Sequence, residues 1–210
     1  MPTPEPDFDT LAAAARTARA GGGGDDGVFD QLARPLRPRL VFALQRHTRC
    51  RADAEDAAQT ALLKLWEKLE LWDPHRPFMP WCYTVAFRCL RDQQRWAKRR
   101  IKAGATSPRD RADPAPGPSD TAAADETTDR VWAIARDVLS PAAWTELWLH
   151  YGEGLTPTEI AEAMGRRAVA VRVGLHRSRK KLAPHLTDAP GPAADSAQPR
   201  PKENLSLIHI

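Results

Sequence analysis

The densest chemistry in this sequence is cationic. Residues 166–185 hold seven Lys and Arg and no acid. On a helix, Arg172, His176, Arg179 and Lys180 cluster near one side, flanked by Arg166, Arg167, Arg177 and Lys181. Arg can donate two hydrogen bonds to guanine, and Arg and Lys both neutralise phosphates. A second block interleaves Trp81, Tyr83, Phe87 and Trp96 with Arg88, Arg91, Arg95, Lys98, Arg99 and Arg100. Aromatic rings stack on unpaired bases while cations track the backbone, so both blocks suit contact with nucleic acid. Tyr83 and Phe87 fit a helix core better than a stacking platform; Trp96 fits either.

Other chemistries have less support. The sequence has no nucleophile-elbow motif, phosphate-cradling glycine loop or dinucleotide fingerprint. No catalytic residue is therefore assigned and no cofactor is expected. His47 and Cys50 are spaced like half a metal site that Cys82 and Cys89 could complete. Cys82 and Cys89 instead lie seven apart on one helical face and read as buried thiols, so no metal is assigned. Asp53, Glu55 and Asp56 could hold a nuclease metal, but they share one helix start, where capping explains them.

The chain has 210 residues, 42% hydrophobic and 28% charged, which is ordinary for a helical protein. No apolar run reaches the roughly 20 residues of a membrane span, and the first 30 residues lack the basic start and apolar core of a signal peptide. Three cysteines are too few for a disulfide scaffold, which points to a reducing cytoplasm. The net charge of +4 conceals alternation. Residues 28–101 carry 15 bases against eight acids, whereas 131–165 carry one base against five acids. Two basic blocks separated by acidic stretches suggest two contacts with a polyanion.

The elements that must position these residues are helical; the alternation of strands is absent. We expect an all-α protein with two small helical domains, 28–101 and 129–186. A flexible arm (1–27, with a short Ala-rich helix at Leu11–Ala20), a Pro-rich linker (102–128) and a disordered tail (187–210) complete the chain. The apolar hexapeptide 205–210 is given no function. In the first domain Pro35 and Pro38 should interrupt one helix. Asp53 offers an N-cap to the next, and Trp81–Arg100 should be long and continuous. In the second, Asp129–Leu139 is amphipathic and Ser140-Pro141 starts a helix to about Tyr151. Thr156-Pro157-Thr158-Glu159 is a capping box that opens Pro157–Met164. Gly165 then turns the chain into a basic helix at about Arg167–Leu182. A short capped helix, a Gly turn and a basic helix form a helix-turn-helix pattern.

These residues resemble a known family. Asp53-Ala54-Glu55-Asp56-Ala57-Ala58-Gln59 with Leu62-Leu63-Lys64-Leu65-Trp66 resembles the core-binding helix of bacterial RNA polymerase sigma factors, specifically the extracytoplasmic-function (ECF) group of the sigma-70 family. Phe78, Trp81, Tyr83, Ala86, Asp92, Arg95 and Arg99-Arg100 resemble that group's promoter-melting and −10-reading segment. Gly154-Leu155-Thr156, Glu159-Ile160-Ala161, Met164-Gly165, Val171, Leu175-His176-Arg177 and Leu182 resemble its region-four helix-turn-helix. The sequence departs from the family at Thr60, Phe87-Arg88, Arg167, Ala170 and Gly174, where Glu, Asn, Ser, Thr and Arg are usual in turn.

The resemblance implies a non-enzymatic specificity subunit whose partners are core RNA polymerase, promoter DNA and an anti-sigma factor. It implies core contact through Asp56, Gln59, Leu63 and Trp66. The −10 element would fall to Trp81, Arg88, Arg91, Arg95, Trp96, Arg99 and Arg100. The −35 element would fall to Arg166, Arg167, Arg172, His176, Arg177, Arg179, Lys180 and Lys181. The rival reading is a helix-turn-helix regulator that binds duplex DNA without polymerase.

Overall fold

The computed structural model describes residues 6–20, 26–102 and 126–187. Gly21–Gly24, most of the Pro-rich linker, and the tail with its apolar hexapeptide lie outside the described residues. The described residues form helices and no strand. In chain order these are α1 (Phe8–Ala20), α2 (Asp26–Gln45), α3 (Arg51–Lys68), α4 (Phe78–Lys102), α5 (Glu126–Val138), α6 (Pro141–Tyr151), α7 (Pro157–Met164) and α8 (Ala168–Thr187), with a 3-10 turn at Leu69–Leu71.

Helices α1 to α4 form one bundle. Ala54, Ala57, Ala58, Ala61 and Leu65 are buried at helical spacing on α3, and these small side chains let neighbouring helices approach closely. Helix α2 supplies the larger side chains, with Leu32, Leu36, Leu40, Ala43 and Leu44 all buried. That stripe explains a departure from the sequence reading. Pro35 and Pro38 lie inside one continuous α2 rather than breaking it. Each proline removes a helical hydrogen bond, but burial of the flanking leucines against α3 holds the segment helical.

Two further expectations are corrected. Helix α3 starts at Arg51 after Cys50, which makes no side-chain capping bond; Asp53 sits in the first turn and acts there by charge. The segment expected to be a flexible arm carries α1, which is built into the bundle. Phe8, Ala12 and Ala15 are buried, and Arg19 lies 4.9 Å over the Trp66 ring. The Phe78 N–H donates to the Asp9 carboxylate at 2.7 Å, so α1 caps the start of α4.

Helices α5 to α8 form the second unit, and its boundaries follow local signals. The Ser140 hydroxyl caps α6, and Pro141 occupies the first turn. At α7 the Glu159 N–H donates to the Thr156 hydroxyl, and the Thr156 N–H donates to the Glu159 carboxylate at 2.8 Å. Gly165 ends α7 at φ 66°, a left-handed conformation that suits glycine. Leu155, Ile160 and Ala163 of the α7 segment close over Val171, Leu175 and Leu182 of α8.

The two units are packed together. Phe42 of α2 meets Trp144 and Trp148 of α6 at 5.1 and 5.2 Å between ring centroids, and Tyr83 of α4 meets Trp148 at 5.8 Å. The Arg39 guanidinium pairs with the buried Glu153 carboxylate at 2.9 Å.

Because two reciprocal bonds start α7, Thr156→Ala should lower unfolding free energy by about 1 kcal/mol. Chemical denaturation of the variant beside the parent checks this, and Thr156→Ser should recover most of the loss.

Candidate nucleic-acid and protein interfaces

Asp56, Gln59, Leu63 and Trp66 share one face of α3 at helical spacing, opposite the buried alanines. Leu63 is 59% exposed. Trp66 is half-buried, with Phe29 at 4.9 Å from its ring and Arg19 above it, so it braces the stripe's end rather than projecting freely. Thr60 stands beside the stripe, and its hydroxyl donates back to the Asp56 carbonyl at 2.8 Å. The face combines an acid, an amide and an apolar side chain on a rigid helix, which suits a protein partner.

The basic end of α4 projects beyond the bundle. Arg88, Arg95, Arg99 and Arg100 are exposed. Trp96 is 58% exposed and carries the Arg100 guanidinium 4.7 Å over its ring. Between α3 and α4 runs an open cleft of about 470 Å³, lined by Thr60, Lys64, Gln93, Arg95, Trp96 and Arg99 among others. An accessible indole flanked by cations can stack on a base and hold its phosphate. Trp81 differs: it is half-buried against Phe78, 5.7 Å away, at the opposite end of α4. Arg91 also stands apart. It donates to the Ala163 carbonyl at 3.2 Å, joining the two units, and burial and neighbouring Arg88 and Arg95 lower its pKa.

Helix α8 and the turn before it separate their eight candidate residues in the same way. Arg167, Arg172, His176, Arg177, Arg179 and Lys180 are exposed, opposite buried Val171, Leu175, Ser178 and Leu182. Lys181 donates to the Val138 carbonyl at 2.6 Å and so caps the end of α5. Arg166 pairs with Glu146, whose side chain is 1% exposed. Burial raises the Glu146 pKa and Arg166 opposes that shift. Gly174 passes directly over this pair, where an added Cβ would collide with the Glu146 carboxylate.

Sequence reasoning missed two exposed residues on this face, Val169 and Val173. Their offset from Val171 and Leu175 was a readable signal.

The thiols are structural. Cys82 and Cys89 are buried, and desolvation pushes both pKa values up. Among the described residues no group of three or more His, Cys, Asp or Glu could hold a metal. No helix among them is long and apolar enough to cross a membrane.

Comparisons with known proteins match the same segments. The family described as Sigma-70 region 2 matches residues 32–100, and that described as Sigma-70, region 4 matches residues 138–182. The chain is 30% identical over 135 residues to the probable RNA polymerase sigma factor RfaY of Xanthomonas campestris pv. campestris; the match covers 63% of this chain but 34% of that longer protein. It is 27% identical over 183 residues to the RNA polymerase sigma factor CnrH of Cupriavidus metallidurans, covering 84% of this chain and 93% of that one. The solved structure of CnrH in complex with the cytosolic domain of CnrY superposes at a TM-score of 0.51 and 21% identity, over 88% of this chain and all of that one. The sigma factor RpoE in complex with the anti-sigma factor NepR, from Bartonella quintana, superposes at 0.56 and 20% identity, over 77% of this chain and 98% of that one.

Two substitutions probe the built parts of this surface. Gly174→Ala should gain less than the roughly 1 kcal/mol that helix propensity alone offers, because the added methyl must displace the Glu146 carboxylate. Thermal and chemical unfolding read this directly.

His47 tests the contact between units. Its Nε2–H donates to the Thr145 hydroxyl at 2.9 Å, since that hydroxyl itself donates to the Pro141 carbonyl. Burial and adjacent Arg46 hold the His47 pKa below the usual imidazole value. The unfolded chain thus binds its proton first, and stability should fall as pH drops from about 7 towards 5. Unfolding titrations should show a weaker acid loss in His47→Gln.

Proposed function

We propose, from the premise that this chain belongs to the sigma-70 family of RNA polymerase sigma factors and to its ECF group, that it directs core RNA polymerase to promoters through two separate DNA contacts. The family's members are non-enzymatic subunits that bind core polymerase and direct initiation. The observation that carries the finer reading is the placement of three distinct faces: the acidic-apolar stripe on α3, the aromatic-basic end of α4, and the exposed basic face of α8. A duplex-binding regulator needs only the last.

Residues 28–101 and 129–186 are the two working halves, with α1 bracing the first, 102–128 as linker and 187–210 as tail. The α3 stripe of Asp56, Gln59 and Leu63, braced by Trp66, docks on core polymerase. Trp96, Arg95, Arg99 and Arg100 hold the melted −10 strand, stacking on Trp96 offsetting lost base pairing. Arg88 supports this from the same helix. Arg91 joins it only after the two units part, and Trp81, half-buried against Phe78, only after it turns out of the bundle. Arg167, Arg172, His176, Arg177, Arg179 and Lys180 face the −35 element in the major groove. Arg166 and Lys181 position α8 through Glu146 and the end of α5.

The two elements lie roughly 25 base pairs apart, about 85 Å of duplex. Here α4 and α7 are in contact, so the packed arrangement belongs to the chain before it spans a promoter. The sigma factors CnrH and RpoE were solved with CnrY and the anti-sigma factor NepR, and an anti-sigma partner acting on the packed chain in the cytoplasm fits this reading.

Run-off transcription from a genomic promoter library, with core polymerase and with or without the protein, tests the proposal. Discrete protein-dependent starts sharing two upstream boxes are expected. Leu63→Asp, at an exposed site, should cut core binding and run-off at least about tenfold while leaving the helical content unchanged. Duplex binding that ignores polymerase, with no new starts, would overturn the reading in favour of the regulator.

A further inference from the structure

The outward face of α8 is not uniformly basic. Val169, Val173, His176 and Lys180 recur at helical spacing on the side opposite buried Val171, Leu175, Ser178 and Leu182. Val169 is 66% exposed and Val173 is 42% exposed, and neither packs on the core among the described residues. A single exposed apolar side chain is unremarkable on any protein. Two on successive turns, within the N-terminal half of a helix that otherwise presents cations, are a local feature. That half is the part of a recognition helix that meets base edges.

We propose that Val169 and Val173 are specificity-determining residues that read thymine methyl groups in the major groove of the upstream promoter element. The inference rests on the assignment of α8 to that element. The occupant is duplex DNA because of what surrounds the valines. Arg167, Arg172, Arg177, Arg179 and Lys180 are all exposed around them, and no acid lies between residues 166 and 185. Cations at the rim fix the helix on phosphates, and an apolar centre then faces base edges. The C5 methyl of thymine is the one apolar group the major-groove edges of the bases offer, so a branched aliphatic side chain there distinguishes thymine from cytosine. Valine suits the task because its χ1 is nearly fixed in a helix, so little rotamer freedom is lost on contact. Gly174 contributes indirectly. It lets α8 lie close over Glu146, whose pairing with Arg166 fixes the start of the helix that carries both valines.

The test uses the full chain assembled with core polymerase. Upstream boxes are first selected by initiation from a randomised element. Selected thymines are then replaced singly by deoxyuridine, which pairs identically and lacks only the methyl. We expect thymine at one or more selected positions, and about a fourfold loss of promoter occupancy for each methyl read. The Val169→Ala/Val173→Ala variant should bind the thymine promoter more weakly and be indifferent to deoxyuridine. Circular dichroism should show its helices intact, since alanine favours a helix. Boxes selected without thymine on either strand, wild-type occupancy that ignores the methyl, or a double variant as sensitive as its parent would each overturn the inference. In those cases protein-dependent initiation persists and the promoter reading stands. Absence of any protein-dependent start would overturn both.

Discussion

Burial of the first half of α4 is the contact on which the rest of the molecule depends. Cys82, Tyr83, Ala86, Phe87, Cys89 and Leu90 are buried, and α1, α2, α3 and α7 all pack against this helix. An α-helix clamped at one end extends as a stiff rod at about 1.5 Å per residue. Trp96, Arg99 and Arg100 are therefore aimed without any packing of their own. The same burial explains why the start of α4 needs a cap. Phe78 is buried at that start, and the Asp9 carboxylate satisfies its N–H. A segment that sequence composition marks as a loose arm thus helps to fix the start of α4.

The contact between the two units works differently. It combines Phe42, Trp144 and Trp148 with polar bonds from Arg39, His47 and Arg91. Inter-domain surfaces of this mixed kind part more readily than an apolar core. Its polar members also resist mismatch, because the buried Glu153 carboxylate pairs with Arg39 only in the packed register. Such a contact favours two states, fully closed or fully open, over a graded range.

The legibility of the sequence followed the range of the interactions. Helices α6 and α7 were placed to the residue, because Ser140-Pro141 and Thr156–Glu159 carry their caps within one turn. Continuity of α2 through Pro35 and Pro38 was not legible, since the buried leucine stripe that holds it depends on α3. The three-face arrangement of the site could be read from periodicity alone. Which cations are available could not. Arg166, Lys181 and Arg91 look like their neighbours in sequence, yet Glu146, the Val138 carbonyl and the Ala163 carbonyl bond them. Those acceptors lie far away in the chain, and no local pattern announces them.

Charge counted along the sequence therefore overstates the field that DNA meets. Of the seven Lys and Arg in residues 166–185, Arg166 and Lys181 bond within the protein, so on the proposed reading a smaller number than seven would serve phosphate. At roughly −0.9 in log–log salt slope per neutralised phosphate, that smaller number makes free binding both weaker and less salt-steep. Weak binding by α8 alone is compatible with firm binding by the assembled subunit. On the proposed reading, joining α8 to the α4 face on one polymerase would convert the second contact into an intramolecular event, and effective concentration would supply what the isolated helix lacks. A tightly binding α8 would instead occupy non-specific sites throughout the chromosome whether or not polymerase was present. Internal pairing of Arg166 and Lys181 orients α8 against α5 and α6, and on the proposed reading it would also restrain indiscriminate binding to DNA.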